Sequence, residues 1–278
     1  MFSLNCKGTL LVIDKPLVMG IINVTPDSFY EGSRQQSGDS VLAQATKMLT
    51  EGADIIDVGG QSTRPGSERI SAKEELKRML PAVEIILKSF PDTIISGDTY
   101  QSEVAVELIN TGASIINDIS AGNLDSNMIS TVAKLQVPYI CMHMKGTPQN
   151  MQQQSNYENV TREVLDFFIQ KTDECRKAGI NDVIIDPGFG FGKTISHNFI
   201  LLKELSTFKM LEKPIMAGLS RKSTIYKTLG ITAEEALNGT TVLHTLALQN
   251  GANILRVHDV KEAKEAIALW ERYENTPS

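Results

Sequence analysis

The feature that most narrows the possible folds is a set of eight short apolar runs, each separated from the next by a stretch long enough for a helix. They span residues 18–23, 54–58, 93–98, 114–118, 138–143, 183–186, 214–218 and 253–257. They are rich in Ile and Val and scarcely alternate with polar residues, as expected of strands buried on both faces of a parallel sheet. Between them, apolar residues recur at helical spacing. Val41, Ala45, Met48 and Leu49 share one face, as do Leu76, Leu80, Val83 and Leu87, with Pro81 expected to kink or break that helix. Several of these segments reach a glycine just before the next run, as in EGADIID and NTGASIIND, which suits a left-handed helix terminus.

Eight strand–helix repeats with no Pro/Gly/Ser-rich linker predict one domain over residues 1–278, a (β/α)8 TIM barrel. An open doubly wound sheet is the rival on periodicity alone. The apolar stretch TLLVID, within residues 8–17, precedes the first barrel strand and is read as a hairpin closing the barrel bottom.

Charge and cysteine usage exclude several function classes. The net charge of −6 argues against a nucleic-acid or membrane surface, so an anionic ligand needs a local cationic patch. The three cysteines, Cys6, Cys141 and Cys175, are odd in number and widely spaced, which argues against a disulfide framework or zinc cluster and fits a reducing cytoplasm. Cys141, in an apolar run, is expected to fill the core. The first seven residues lack a signal-peptide pattern, and no apolar run approaches the roughly 20 residues of a membrane-spanning helix.

Nearly every run ends in a polar or ionisable residue: Asn23, Asp57, Asp98, Asn117 with Asp118, His143, Asp186, Ser220 with Arg221 and Lys222, and Arg256 with His258. Each alone reads equally well as a turn residue or helix cap. Together, at strand ends that converge on one mouth, they point to a site for a small polar ligand. Arg64, Arg221, Lys222, Arg256 and His258 form a cationic set suited to phosphate. Asp98, Asn117 and Asp186 form an acceptor set suited to an N–H-rich ring. The run DPGFGFGKT (186–194) is neither a Walker loop nor a dinucleotide fingerprint. It reads either as a flexible loop or as one whose backbone approaches a ligand, with Phe189 or Phe191 against the ligand's ring. The loops NVTPDSF (23–29) and GGQSTRPGSE (59–68) have the composition of active-site lids. His197 and His244 read as surface or helical-face residues, and His143 as structural or catalytic.

The segments MGIINVTPDSF, GADIIDVGGQSTRPGS, GASIINDIS, MHMKGTP, VIIDPGFGFGK, GLSRKS and RVHDV, in that order, resemble the signatures of dihydropteroate synthases over residues 17 to 260. The resemblance implies condensation of (7,8-dihydropterin-6-yl)methyl diphosphate with p-aminobenzoate, giving 7,8-dihydropteroate and pyrophosphate, with Mg2+. It implies Asn23 as the metal ligand, and Arg64, Lys222 and Asn23 as the catalytic residues. Thr63, Asp98, Asn117, Met142, Asp186, Lys222, Arg256 and His258 are implied to bind the pterin diphosphate, with Arg64 joining Arg256 and His258 on the diphosphate. Thr63, Pro65, Phe191, Lys222 and Ser223 are implied to bind p-aminobenzoate. A homodimer and sulfonamide inhibition are implied too. The sequence departs from the pattern at Gln61, where Glu is common, and at Gly97, where a β-branched residue is common and glycine is expected to loosen the strand. Corrinoid-dependent methyltransferases use a similar pterin-binding barrel but have no reason to carry STRPGS and SRKS together. A non-catalytic pterin-binding relative is expected to lose ligands among Asn23, Arg64, Arg256 and His258, and all are present.

Overall fold

The structure is a computed structural model that describes residues 1–25, 34–62 and 66–277. The chain opens with an antiparallel hairpin, β1 (Phe2–Cys6) and β2 (Thr9–Ile13). Eight parallel strands follow: β3 (Leu17–Asn23), β4 (Ile55–Gly59), β5 (Ile95–Asp98), β6 (Ile115–Asp118), β7 (Tyr139–Met142), β8 (Val183–Asp186), β9 (Met216–Ala217) and β10 (Ile254–Val257). Each lies within a predicted run or overlaps it, shifted by a residue. The sheet order is β8-β7-β6-β5-β4-β3-β10-β9, and a parallel bridge between Ile185 and Ile215 joins its two edges. The sheet therefore closes into the predicted (β/α)8 barrel.

The helices α1 (Arg34–Thr50), α2 (Ala72–Ser89), α3 (Ser102–Thr111), α4 (Met128–Leu135), α5 (Val160–Ala178) and α6 (Ile195–Lys203) each fill one crossover. Two, α7 (Ser223–Leu229) and α8 (Leu237–Gln249), lie between β9 and β10, and α9 (Val260–Glu274) follows β10. Local chemistry sets their ends. The Asn159 side chain accepts from the Arg162 amide at the start of α5, and Gly179, at φ 95°, ends it in the left-handed region that glycine enters without strain.

Two predicted details differ. Of the kink or break expected at Pro81, the break does not occur: helix α2 is continuous through it. Its deepest apolar side chains are Met79, Ala82, Val83 and Ile86, while Leu76, Leu80 and Leu87 are partly buried beside that stripe. Gly97 does not loosen β5: a Cβ there would lie 2.6 Å from Leu108 Cδ1, so glycine admits a side chain of α3 hard against the strand.

Alternation along each strand splits the apolar residues into two cores. The outer core, between barrel and helices, includes Val18, Ile22, Ile56, Val58, Ile116, Cys141, Ile185 and Leu255. The inner core fills the amino-terminal half of the barrel with Leu17, Met19, Ile55, Ile115, Ile140, Ile184, Met216 and Ile254. Leu4, Cys6 and Ile13 of the hairpin join it, so the hairpin seals the barrel bottom as expected. It starts earlier than the apolar stretch suggested, because β1 buries only Leu4 and Cys6 and exposes Ser3 and Asn5. The Asn5 amide donates to Asp182 Oδ2 (2.7 Å) and Lys7 Nζ to the Ile109 carbonyl (2.7 Å), tying the plug to the rim. All three cysteines are free and buried.

Candidate active site

At the carboxy-terminal mouth the inner face changes from apolar to charged. Two residues above Ile254 on β10, Arg256 reaches across the barrel. Its Nε donates to Asp57 Oδ2 (2.6 Å) and its Nη2 to Asp98 Oδ2 (2.5 Å). Asn117 Nδ2 donates to the same Asp57 oxygen (3.1 Å). Asp57 has no exposed surface, and among the described residues its second oxygen has no hydrogen-bond partner. Strands β4, β5, β6 and β10 thus meet in one network of two carboxylates, an amide and a guanidinium. Asn23, at the end of β3, adjoins it: a Cβ on Gly59 would lie 3.7 Å from Asn23 Oδ1 and 3.5 Å from Asp98 Oδ2.

On the other side of the mouth stand Asp186 of β8 and Lys222, which caps α7. Both overhang Gly218, where a Cβ would lie 3.6 Å from Lys222 Nζ and 3.9 Å from Asp186 Oδ2. Asp186 Oδ1 accepts from the Gly188 amide (2.8 Å), and Lys222 Nζ donates to the Phe189 carbonyl (2.5 Å). The Lys222 ammonium also lies 4.8 Å from the centre of the Phe191 ring. Beside it an apolar shelf gathers Met142, Met144, Met151, Tyr100 and Ile119, with Phe191 packed on its edge.

The charges at the mouth are held at a cost. Burial raises the Asp98 carboxyl to about 7, with Arg256 opposing and Asp57 adding to the rise. Burial likewise raises Asp186 against the pull of Lys222, and lowers Lys222 to about 8 against the pull of Asp186. Arg256 is shielded too, but Asp57 and Asp98 hold its proton more firmly than in water. Such opposed shifts in one cleft mark a site built to meet a charged or N–H-rich ligand.

Other predicted residues sit differently. Arg221 turns away from the mouth: its Nε and Nη2 bind both Asp259 oxygens (2.8 and 2.9 Å), and its Nη1 donates to the Ala233 and Glu234 carbonyls. A left-handed backbone at φ 53° goes with that turn. His258 stands at the mouth, its Nδ1 3.0 Å from Ser220 Oγ. It is not a standing cation: desolvation of the ring, then Arg256, push it down to about 4. Asp118 faces outward, taking the Ser120 amide and hydroxyl, the Gly122 amide and the Tyr139 hydroxyl, each at 2.7 Å. Phe189 is fully buried in the outer core, which leaves Phe191 as the ring at the mouth. His244 lies on the buried face of α8, in keeping with the helical-face alternative. Ser223 begins α7 beside Lys222. Thr63, Arg64 and Pro65 lie outside the described residues, as do residues 26–33 of the other expected lid.

Two pairings escaped sequence reading. Asp57 was visible as a polar strand end, but nothing in the sequence showed that it grips Arg256. Gln61 and Tyr100 form the other pair: Gln61 Nε2 donates to the Tyr100 hydroxyl (2.7 Å) and Oε1 accepts from the Ile70 amide (3.3 Å). The residue noted as a departure thereby fastens the two ends of its loop.

Comparison with known proteins agrees with this geometry. The family model for pterin binding enzyme matches residues 19–258. The chain belongs to the pterin-binding enzyme family. It is 43% identical to the dihydropteroate synthase of Escherichia coli K12, over 97% of this chain and 95% of that protein. The Yersinia pestis dihydropteroate synthase, solved with a sulfonamide drug, superposes with a TM-score of 0.93 at 39% identity, covering 99% of this chain and all of that one. The Xanthomonas albilineans dihydropteroate synthase in complex with 7,8-dihydropteroate gives 0.89 at 36% identity, covering 99% of this chain and all of that one. Within the pterin-binding enzyme family the chain is a transferase of the dihydropteroate-forming kind, acting in folate biosynthesis. Among the described residues no helix is long and apolar enough to cross a membrane.

Proposed function

We propose that this mouth carries the condensation through a dissociative course, with the roles divided as the two sides of the mouth suggest. The observation that carries the reading is that Asp186 and Arg256 share one opening: they stand near the carboxy-terminal ends of β8 and β10, which flank β9 in the closed parallel barrel. An amino-substituted pterin offers paired N–H groups to Asp186, and Asn117 and Asp98 complete its edge. Lys222 donates to the ring's acceptor side, and Met142 lies flat on the shelf beneath. Arg256 and His258, with Arg64 and Thr63, receive the diphosphate. Thr63, Pro65, Phe191, Lys222 and Ser223 enclose p-aminobenzoate.

In this course the methylene carbon–oxygen bond breaks first, and its electron pair leaves with pyrophosphate. The pterin ring spreads the charge left on the methylene carbon, the aniline nitrogen lone pair forms the new bond, and an aniline proton passes to solvent. The protein's part is to neutralise leaving-group charge and keep water off the cation. Among the described residues no group of three His, Cys, Asp or Glu side chains is arranged to hold a metal. A single amide oxygen from Asn23 fits Mg2+ that arrives on the diphosphate, since this ion keeps waters and takes substrate phosphates with one or two protein oxygens. When bound, the ion supplies positive charge to the departing group.

We further propose a single catalytic domain over 1–278, a cytoplasmic location in keeping with three free cysteines, and a homodimer. Supporting the dimer, Leu229, Val242, Leu246, Leu269 and Tyr273 are exposed on the packed helices α7, α8 and α9. Incubation with both substrates and Mg2+ is expected to yield dihydropteroate and pyrophosphate in equal amounts, and chelation to stop both. Methyl transfer from methyltetrahydrofolate without dihydropteroate would overturn the reading. Arg64→Ala is expected to slow turnover more than it weakens pterin binding, measured as kcat against pterin Kd.

A further inference from the structure

Lys193 is the one polar side chain in the glycine-rich loop whose job the reaction does not explain. It is 3% exposed, burial lowers it to about 7 against the pull of Asp186, and its Nζ meets four hydrogen-bonding atoms. Nζ lies 2.9 Å from His143 Nδ1, 3.0 Å from the Gly188 carbonyl, 3.0 Å from the Phe191 carbonyl and 3.3 Å from the His143 carbonyl. Burial holds His143 well below its ordinary value, with Lys193 and Lys145 adding to the shift. The ring is therefore neutral, Nδ1 presents a lone pair, and lysine is the donor.

The loop is also clamped where no side chain would fit. A Cβ on Gly188, at φ 70°, would fall 2.0 Å from the His143 carbonyl oxygen, and one on Gly192 2.6 Å from that of Lys145. The close approach that these glycines permit is to the chain leaving β7, not to a ligand. Tyr157 donates to the Gly192 carbonyl (3.0 Å) and Asn198 Oδ1 accepts the Gly190 amide (2.7 Å). The carbonyls of Gly188, Phe189, Phe191 and Gly192 are thus held by side chains, and Lys193 holds two of them.

We propose that Lys193 is a positioning residue that sets the Phe191 ring for the aromatic amine substrate. The inference rests on the assignment of Phe191 to the p-aminobenzoate pocket. Phe191 belongs to no strand or helix; its amide donates to the Gly188 carbonyl (3.1 Å), and Lys193 grips both that carbonyl and Phe191's own, so it fixes the turn that presents the ring to the apolar shelf. Asp186, by contrast, has its backbone fixed by the ladder with Met142 on β7, and its carboxylate meets the loop at the Gly188 amide, next to β8. Loosening the loop should therefore disturb the amine site more than the pterin site. The charged groups that face Lys193 are Asp186, Lys222 and, through His143, Lys145, with His197 nearby. A donor without charge tests the hydrogen bonds apart from that field.

Steady-state kinetics and pterin calorimetry on Lys193→Met, Lys193→Gln and Phe191→Ala make the test. Lys193→Met is expected to raise KM for p-aminobenzoate about tenfold and leave pterin Kd within twofold. Lys193→Gln, which keeps two donors, should recover part of that loss. If the Met variant does not fold, the Gln variant alone is read, with the same split expected at smaller size. An unchanged KM, or equal losses at both substrates, overturns the proposal. Phe191→Ala separates the two readings: if it leaves KM unchanged, the pocket assignment fails, whereas a raised KM there beside an unchanged one in the lysine variants removes only the role of Lys193.

Discussion

The two ends of the barrel's inner face are built on the same eight strands, yet they differ in almost every physical respect. The lower half is a closed apolar layer, with Leu4, Cys6 and Ile13 of the hairpin laid against Met19, Ile55, Ile184 and Ile254. The upper half places Asp57, Asp98, Asn117, Asp186, Lys222 and Arg256 in one cleft. A step of two residues along β10, from Ile254 to Arg256, separates the two regimes. Burial stabilises the first, at roughly 25 cal/mol for each Å2 of apolar surface. In the second, burial works against the fold, as the raised carboxyl of Asp186 and the lowered ammonium of Lys222 show. The bottom of the barrel carries the stability that lets the mouth hold uncomfortable charge.

The sharpest test of this contrast is Asp186→Ala. It should weaken pterin binding by about a hundredfold or more in calorimetry, since charge-assisted hydrogen bonds are worth roughly 1.5–3 kcal/mol each and two are lost. Its unfolding midpoint should not fall, because the folded state already disfavours that charge. A variant that bound pterin normally but unfolded early would invert the roles of the two ends.

Leu4→Ala is the opposite substitution. Truncating a buried leucine costs about 2–5 kcal/mol of stability, read by urea denaturation, while kcat and KM at low temperature should match the parent. A changed KM would show that the plug shapes the mouth. The smallest effect belongs to pH. With the folded Asp98 carboxyl raised to about 7 and its unfolded value near 3.9, its contribution is full below about pH 4 and is lost as pH rises towards 7. Asp98→Asn should therefore gain on the parent across that window, on the order of 1–2 kcal/mol, since neighbouring carboxylates share the proton. A gap in stability that stayed constant between pH 4.5 and 7.5 would contradict the shift.

Much of the architecture was legible because a barrel strand must be apolar on both faces and must end where polar chemistry begins. That rule alone located all eight strands and most of the polar residues at the mouth. It failed where the direction of a side chain, rather than its position, decides the outcome. Arg221 adjoins Lys222 in the chain, but Asp259 takes both of its forks. Phe189 and Phe191 differ by two residues in a loop with no periodicity, so nothing in the sequence told the core ring from the half-buried one at the mouth. His258 looks cationic as a letter and is neutral in its surroundings. The role of Lys193 was hidden because a lysine after glycines normally reads as solvated, and only the fold brings His143 to it from 50 positions away. Strand β1 was missed because a plug that buries two side chains leaves little apolar signal.

The hairpin beneath the barrel also settles the traffic. A vessel stoppered at its base has a single doorway, so every visitor departs by the route it arrived. Pyrophosphate must clear that threshold past the incoming amine, and the finished conjugate, longer than either precursor, must back out through it.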